Sequence, residues 1–138
     1  KTEASKTVMK YISKLSCSMT TDKEVAKRAE QIAIKIQSSS PILEAFGNAK
    51  TINNDNSSRF GKFITLQFDA AGIIQGADIK NYLLEKSRLI QPGPNERSYH
   101  CFYQLMAGDP ELCKQLELTK AKDYAYLNAG DCVAVPSI

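Results

Sequence analysis

Little in this chain invites a redox, metal or membrane reading. Four cysteines, Cys17, Cys101, Cys113 and Cys132, are scattered without a CxxC pair, and His100 is the single histidine. Neither set has the spacing of a metal-ligand cluster. Thiols dispersed in this way are expected to be reduced and buried, which points to a cytosolic setting. No run approaches the ~18 apolar residues of a membrane span, and no signal-peptide pattern opens the chain. There is no lysine or arginine block, internal repeat or low-complexity segment. The net charge of +3, from 18 basic and 15 acidic residues, is too balanced to predict nucleic-acid or membrane binding. The chain also lacks an initiator methionine, begins directly in a helical pattern and ends in "GDCVAVPSI". Both ends read as cut, as expected of a fragment of a longer polypeptide.

What is present is globular. The 138 residues match one ordinary domain in length, with 43% hydrophobic and 24% charged residues. From Glu3 to about Leu15, Val8, Met9 and Ile12 fall at helical spacing. "SCSMTT" (16–21) is a polar break. Thr21 or Asp22 then caps a second helix, with Glu24 placed as in a capping box. That helix carries Val25, Ala29, Ile32, Ala33 and Ile36 on one face and is expected to stop in "SSSP". Pro41 opens a separate short helix, "PILEAF", which Gly47 ends. A polar loop covers Asn48 to Arg59. Alternation from Phe60 to Phe68 predicts a strand, with Ile64, Leu66 and Phe68 on one face and Phe63, Thr65 and Gln67 on the other. "DAAG" turns into one or two further strands running towards Ile90, with Gly76 a candidate bulge. "QPGPN" is a turn. "ERSYHCFYQLMAG" reads as helix with Tyr99, Phe102, Tyr103 and Met106 as a core stripe, a shorter helix follows around 109–116, and "YAYLNAGD" reads as loop. The class is α/β, with strands that would leave open edges if the piece stood alone.

The chemistry concentrates in "NNDNSSRFGKF", Asn53 to Phe63, where three asparagines, an aspartate and two serines precede an arginine. Short polar side chains are ordinary turn formers. A solvated turn, however, needs neither the paired serines nor an arginine at the entrance to a strand. A triphosphate with Mg²⁺ needs a wall offering hydroxyls, neutral donors and one movable cation. Asn54, Asn56, Ser57, Ser58 and Arg59 supply those groups. Lys1-Thr2 directly precedes a helix, as the Gly-Lys-[Ser/Thr] end of a P-loop does. The glycine-rich half of such a loop is not in the sequence.

Taken together, these blocks resemble the myosin motor domain. "KTEASK" is similar to the tail of the myosin P-loop, "SPILEAFGNAKT" to the helix and linker leading to switch I, and "NNDNSSRFGKF" to switch I itself. "YLLEKSRL" and "NERSYHCFYQL" are similar to the strand and helix that follow. The blocks occur in the family's order from Lys1 to about Leu105. The resemblance implies part of a P-loop NTPase (myosin head) fold, with helices flanking part of a mixed central sheet. It divides the chain into the P-loop end (1–2), switch I (48–60), strands (61–90) and the first helices of the upper 50 kDa region (95–138).

The resemblance further implies an ATP-dependent motor acting on actin filaments. Lys1 would contact the β- and γ-phosphates, and Thr2 and Ser58 would ligate Mg²⁺. Asn54 and Asn56 would lie in the nucleotide-binding set, Asn54 holding phosphate oxygens. Ser57 would help position the attacking water, and Arg59 would pair with a switch II glutamate outside this chain. Asp55 receives no catalytic role. Light chains would sit on a neck outside the chain, and the setting would be cytoplasmic, in the cytoskeleton. The isolated piece is expected neither to hydrolyse ATP nor to fold stably. The alternatives are a myosin-like module that binds nucleotide or filament without turnover, and another P-loop NTPase. Outside the blocks, His100 is expected to be a packing or surface histidine, and Glu85 with Arg88 a structural ion pair at a strand end.

Overall fold

The computed structural model describes residues 2–135, and side chains from residue 4 onward. The chain separates into two compact units, residues 1–41 with 62–81, and residues 42–61 with 82–138.

In the first unit, α1 (Thr2–Ser18) runs past the expected break, so "SCS" is helical and the break shortens to Met19–Asp22. Ser13 and Ser18 donate to carbonyls of their own helix, Met9 O at 2.8 Å and Leu15 O at 2.7 Å, which reconciles these polar side chains with a helical backbone. The buried side of α1 includes Ser13 and Ser16, whereas Val8 is 54% exposed, so the expected Val8–Met9–Ile12 grouping is displaced around the helix. Asp22 caps α2 (Lys23–Gly47), its Oδ1 accepting from the amides of Glu24 at 2.9 Å and Val25 at 3.3 Å. The expected face of α2 is observed: Ala29 and Ala33 are buried, and Val25, Ile32 and Ile36 half-buried.

The helix does not stop at "SSSP". It continues through Pro41 to Gly47, so the two expected helices are one. A proline in a helix interior removes one amide donor. Just ahead of it, Ser38 and Ser39 bond their hydroxyls back onto Lys35 O (3.0 Å) and Ile36 O (2.7 Å), so these polar side chains are satisfied within the helix.

β3 (Gly61–Phe68) and β4 (Ile74–Tyr82) form a two-stranded sheet. Lys62, Ile64 and Leu66 are half-buried and the residues between them exposed; Phe68, expected on the inner face, is 47% exposed. The "DAAG" turn is organised by Asp69, whose Oδ1 accepts from the amides of Ala71 and Ile73 at 2.9 Å each. These bonds, led by that from Ile73, hold its carboxyl below the usual carboxylate range. Ile74 N donates to the buried Ser16 Oγ at 2.7 Å, tying β4 to α1.

In the second unit, the expected loop from Asn48 is instead a hairpin of β1 (Asn48–Thr51) and β2 (Asn54–Ser58). Strand structure ends at Tyr82, and Ser87–Ile90 form a short helix, α3, rather than a strand. The buried Arg88 lies in α3 and bonds to Glu85, Glu96 and the Arg97 carbonyl, contacts that favour a turn over an extended run. The next helix, α4 (His100–Ala107), begins after "ERSY". Those residues stay extended because Arg97 N donates to Lys50 O at 3.1 Å and Tyr99 bridges Ala49. The stripe is core as expected at Tyr99 and Tyr103, which are 1% and 5% exposed. α5 (Pro110–Gln115) starts at an Asp109 cap. The expected loop at "YAYLNAGD" contains a short helix, α6 (Ala125–Asn128), anchored by buried Leu127.

Candidate functional site

Backbone pairing fixes the frame of the site. Asn48 lies opposite Ser58, Ala49 opposite Ser57 and Thr51 opposite Asn54, with an irregularity between Ala49 and Thr51. Ala49 also bridges Tyr99, so β1 is the inner strand, and among the described residues the outer edge of β2 has no strand partner. At the base of the hairpin, Arg59 N donates to Gly47 O at 2.8 Å. Gly47 is required here: a Cβ would fall 2.3 Å from Cδ1 of the Phe60 ring. Strand alternation places Asn54, Asn56 and Ser58 on an exposed face, while Asp55 and Ser57 are half-buried on the other. Asp55 lies 3.7 Å from Lys50 Nζ, an ion pair within the hairpin.

Ser57 and Arg59 are brought together. Arg59 Nη1 donates to Ser57 Oγ at 3.2 Å, occupying a lone pair and leaving the hydroxyl proton to be donated elsewhere. Arg59 Nε donates to Glu85 Oε2 at 2.7 Å, and Arg88 Nε donates to the same oxygen at 2.7 Å. The expected Glu85–Arg88 ion pair is therefore present, with Arg59 as a third member. The hydrogen bond from Arg59, joined by Arg88 and opposed by burial, holds the Glu85 carboxyl below its ordinary range. Burial works against the Arg88 charge, but Glu85 and Glu96 outweigh it and raise the Arg88 pKa.

Ser58 Oγ donates to Phe60 O at 3.1 Å, leaving its oxygen lone pairs for a hard cation such as Mg²⁺. Among the described residues no group of three or more His, Cys, Asp or Glu side chains could hold a metal. A cation here would rest on hydroxyl oxygens and on its ligand's own oxygens, as Mg²⁺ commonly does beside phosphates. Asn54 Oδ1 accepts from Asn56 N at 2.8 Å, leaving the Asn54 amide NH₂ as a donor on the exposed face.

Asn56 is committed to the protein. Its Nδ2 donates to Glu44 Oε2 at 3.2 Å, and its Oδ1 meets Asn48 Nδ2 at 2.8 Å and His100 Nε2 at 3.1 Å. His100 was expected to be a packing or surface histidine, with no link to this stretch. His100 is in fact 2% exposed, with Nδ1 3.5 Å from Arg97 Nη2. A guanidinium only donates and a carboxylate only accepts, so every bond between these ends acquires a direction. His100 must be the neutral Nε2–H tautomer, donating to Asn56 and accepting from Arg97. Burial, reinforced by the Arg97 charge and only partly offset by Glu44, lowers its pKa to about 4. Glu85 and His100 are the residues at this site that sequence reasoning did not attach to it.

Lys1 lies outside the described residues. Thr2 opens α1, but its side chain is likewise outside them. Both belong to the first unit, whereas residues 54–59 belong to the second.

A family model for the myosin head (motor domain) matches residues 1–138. The chain is 48% identical over 139 aligned residues to the myosin-I heavy chain of Dictyostelium discoideum, covering 100% of this chain and 6% of that protein. It is 44% identical over 138 residues to myosin-13 of Arabidopsis thaliana, covering 100% of this chain and 9% of that protein. Against unconventional myosin-Ic of Aquarana catesbeiana the identity is 46% over 140 residues, with 100% and 13% covered. The chain thus spans 6% to 13% of the length of these relatives.

Proposed function

This chain belongs to the myosin head (motor domain) family, with part of the P-loop NTPase fold of that family, and we propose that in the whole motor it binds Mg-ATP and senses the γ-phosphate through residues 54–59. ATP hydrolysis would drive movement on actin filaments. Light chains would bind a neck outside the chain, and the motor would work in the cytoplasm, on the cytoskeleton. No helix among the described residues is long and apolar enough to cross a membrane.

The observation that carries this reading is the pairing of Arg59 with Ser57 on an edge strand. Ser57 and Ser58 point to opposite faces, so a ligand lying flat on one face would meet only one of them. A polyphosphate lying along the open edge of β2 can meet both. There Ser57, its oxygen occupied by Arg59, donates its proton to a γ-phosphate oxygen or to the attacking water. The Asn54 amide donates to phosphate oxygens. As the family resemblance implies, Thr2 and Ser58 would give hydroxyl oxygens to Mg²⁺, and Lys1 would contact the β- and γ-phosphates. The bound Mg²⁺ would supply Lewis-acid neutralisation of phosphate charge. Fixed donors aimed at developing charge lower the barrier because they need no reorganisation during the reaction. Loss of the γ-phosphate removes the contacts made by Ser57, which makes the hairpin responsive to nucleotide state.

Ser58→Ala or Arg59→Ala in the whole motor is expected nearly to abolish steady-state ATP turnover. Wild-type turnover in either variant would refute the assignment. Lys1→Ala should chiefly weaken triphosphate binding, read with a fluorescent nucleotide.

A further inference from the structure

Glu85 is held on several sides. Its amide donates to Arg59 O at 3.0 Å, and its carbonyl accepts from Tyr99 Oη at 2.8 Å. Its Oε2 takes Arg59 Nε and Arg88 Nε together, at 2.7 Å each. Arg88, 5% exposed, is itself fixed by Glu96 Oε2 at 2.9 Å and by Arg97 O at 3.0 Å. The carboxylate therefore stands on a rigid, buried base, while its upper partner Arg59 is about a third exposed (30%) and reaches onward to Ser57.

From this geometry we infer that Glu85 is a positioning residue for the proposed hydrolysis, holding Arg59 on the Ser57 hydroxyl and away from direct pairing with the nucleotide phosphates; the inference rests on the reading of Ser57 and Arg59 above. An arginine side chain has many rotamers to sample, and a guanidinium is an effective bidentate partner of phosphate. Without Glu85, Arg59 would keep only the switch II glutamate that the resemblance implies on closure, and before closure it would swing onto the phosphate oxygens of a bound triphosphate. Ground-state binding would be kept or strengthened, but Ser57 would lose the donor that orients its proton. Binding energy placed on the ground state does not accelerate the chemical step.

The test uses the whole motor carrying Glu85→Gln and, separately, Glu85→Asp. Mg-ATP affinity is read with a fluorescent analogue, and the chemical step by single-turnover hydrolysis. Glu85→Gln should keep affinity equal to or tighter than wild type while slowing hydrolysis about 10-fold or more. Glu85→Asp, still charged but about one bond shorter, should fall between Glu85→Gln and wild type. Ser57→Ala should remove most of the effect of Glu85→Gln in the double variant, because the two act along one line. Hydrolysis within about 2-fold of wild type in Glu85→Gln, or affinity and hydrolysis lost by the same factor, would overturn the inference. If Glu85→Gln fails to fold, the ordering of Glu85→Asp below wild type in hydrolysis alone decides, and an Asp variant equal to wild type overturns it. Failure of the wild-type motor to hydrolyse ATP would instead strike the functional reading beneath it.

Discussion

Acid should attack this unit through His100. The imidazole is 2% exposed, and its folded pKa of about 4 lies well below the ordinary 6.5. Between those values the unfolded chain binds a proton that the folded chain refuses, so protonation pulls the equilibrium towards unfolding. The penalty is absent above 6.5 and complete below about 4. Each pKa unit corresponds to 1.36 kcal/mol, so the full effect is about 3 kcal/mol, and about 2 kcal/mol has developed near pH 5. The geometry gives the same sign. A proton on Nδ1 would face the Arg97 guanidinium, which has no acceptor to offer.

His100→Gln supplies the control, since glutamine retains an amide donor for Asn56 but does not titrate. Thermal melts of the motor carrying either residue should be compared from neutral pH down towards the folded pKa. Wild type is expected to be the more stable at neutral pH, and its advantage should shrink by about 2 kcal/mol near pH 5, a shift of several degrees for a domain-sized unit. An advantage that stays constant within ~0.5 kcal/mol over that range would refute the buried neutral tautomer and, with it, the assigned direction of the Asn56 bonds.

Other perturbations follow from single contacts. Gly47→Ala would drive a Cβ into the Phe60 ring, 2.3 Å from Cδ1, and should cost about 1–3 kcal/mol in a melt; adding Phe60→Leu should recover part of the loss. Tyr103→Phe removes a hydroxyl that accepts from Ser98 N at 3.2 Å and donates to Leu127 O at 2.9 Å, so two buried backbone groups lose a partner and about 1–3 kcal/mol should follow. Asp22→Ala deletes the cap of α2 and should destabilise by about 1 kcal/mol, whereas Asp22→Asn should cost far less.

Elements whose signal is local were legible from the sequence. The Val25–Ile36 face of α2, the alternation of β3 around Ile64 and a short helix around residues 109–116 all depend on local signals, and all are observed. Elements fixed by distant partners were not legible. Asn48 to Ser58 has no apolar alternation to announce strands. It pairs because Ala49, fully buried, is gripped between Ser57 and Tyr99. The same bridge holds "ERSY" extended despite its helical pattern. Pro41 misled for the opposite reason: the serines before it read as a break, yet they turn their hydroxyls back onto carbonyls of the same helix and stay helical.

The candidate site divides along the same line. The residue types a polyphosphate requires could be read in order from Asn54 to Arg59, because the chemistry is carried by adjacent side chains. The groups that orient them lie 26 residues away at Glu85 and 44 away at His100, beyond any local pattern. Glu85 was legible as the partner of Arg88, expected as an ion pair at a strand end, because the two lie three positions apart. Its bond to Arg59 depends instead on the backbone contact from Glu85 N to Arg59 O, a long-range pairing that exists only once the unit has folded. A loop of polar side chains could chelate a ligand by adapting to it. In a hairpin whose Arg59 is already held by Glu85 and whose Asn56 is held by His100, those groups are ordered beforehand, and in the proposed site that would keep Ser57 oriented, the condition for electrostatic stabilisation without reorganisation.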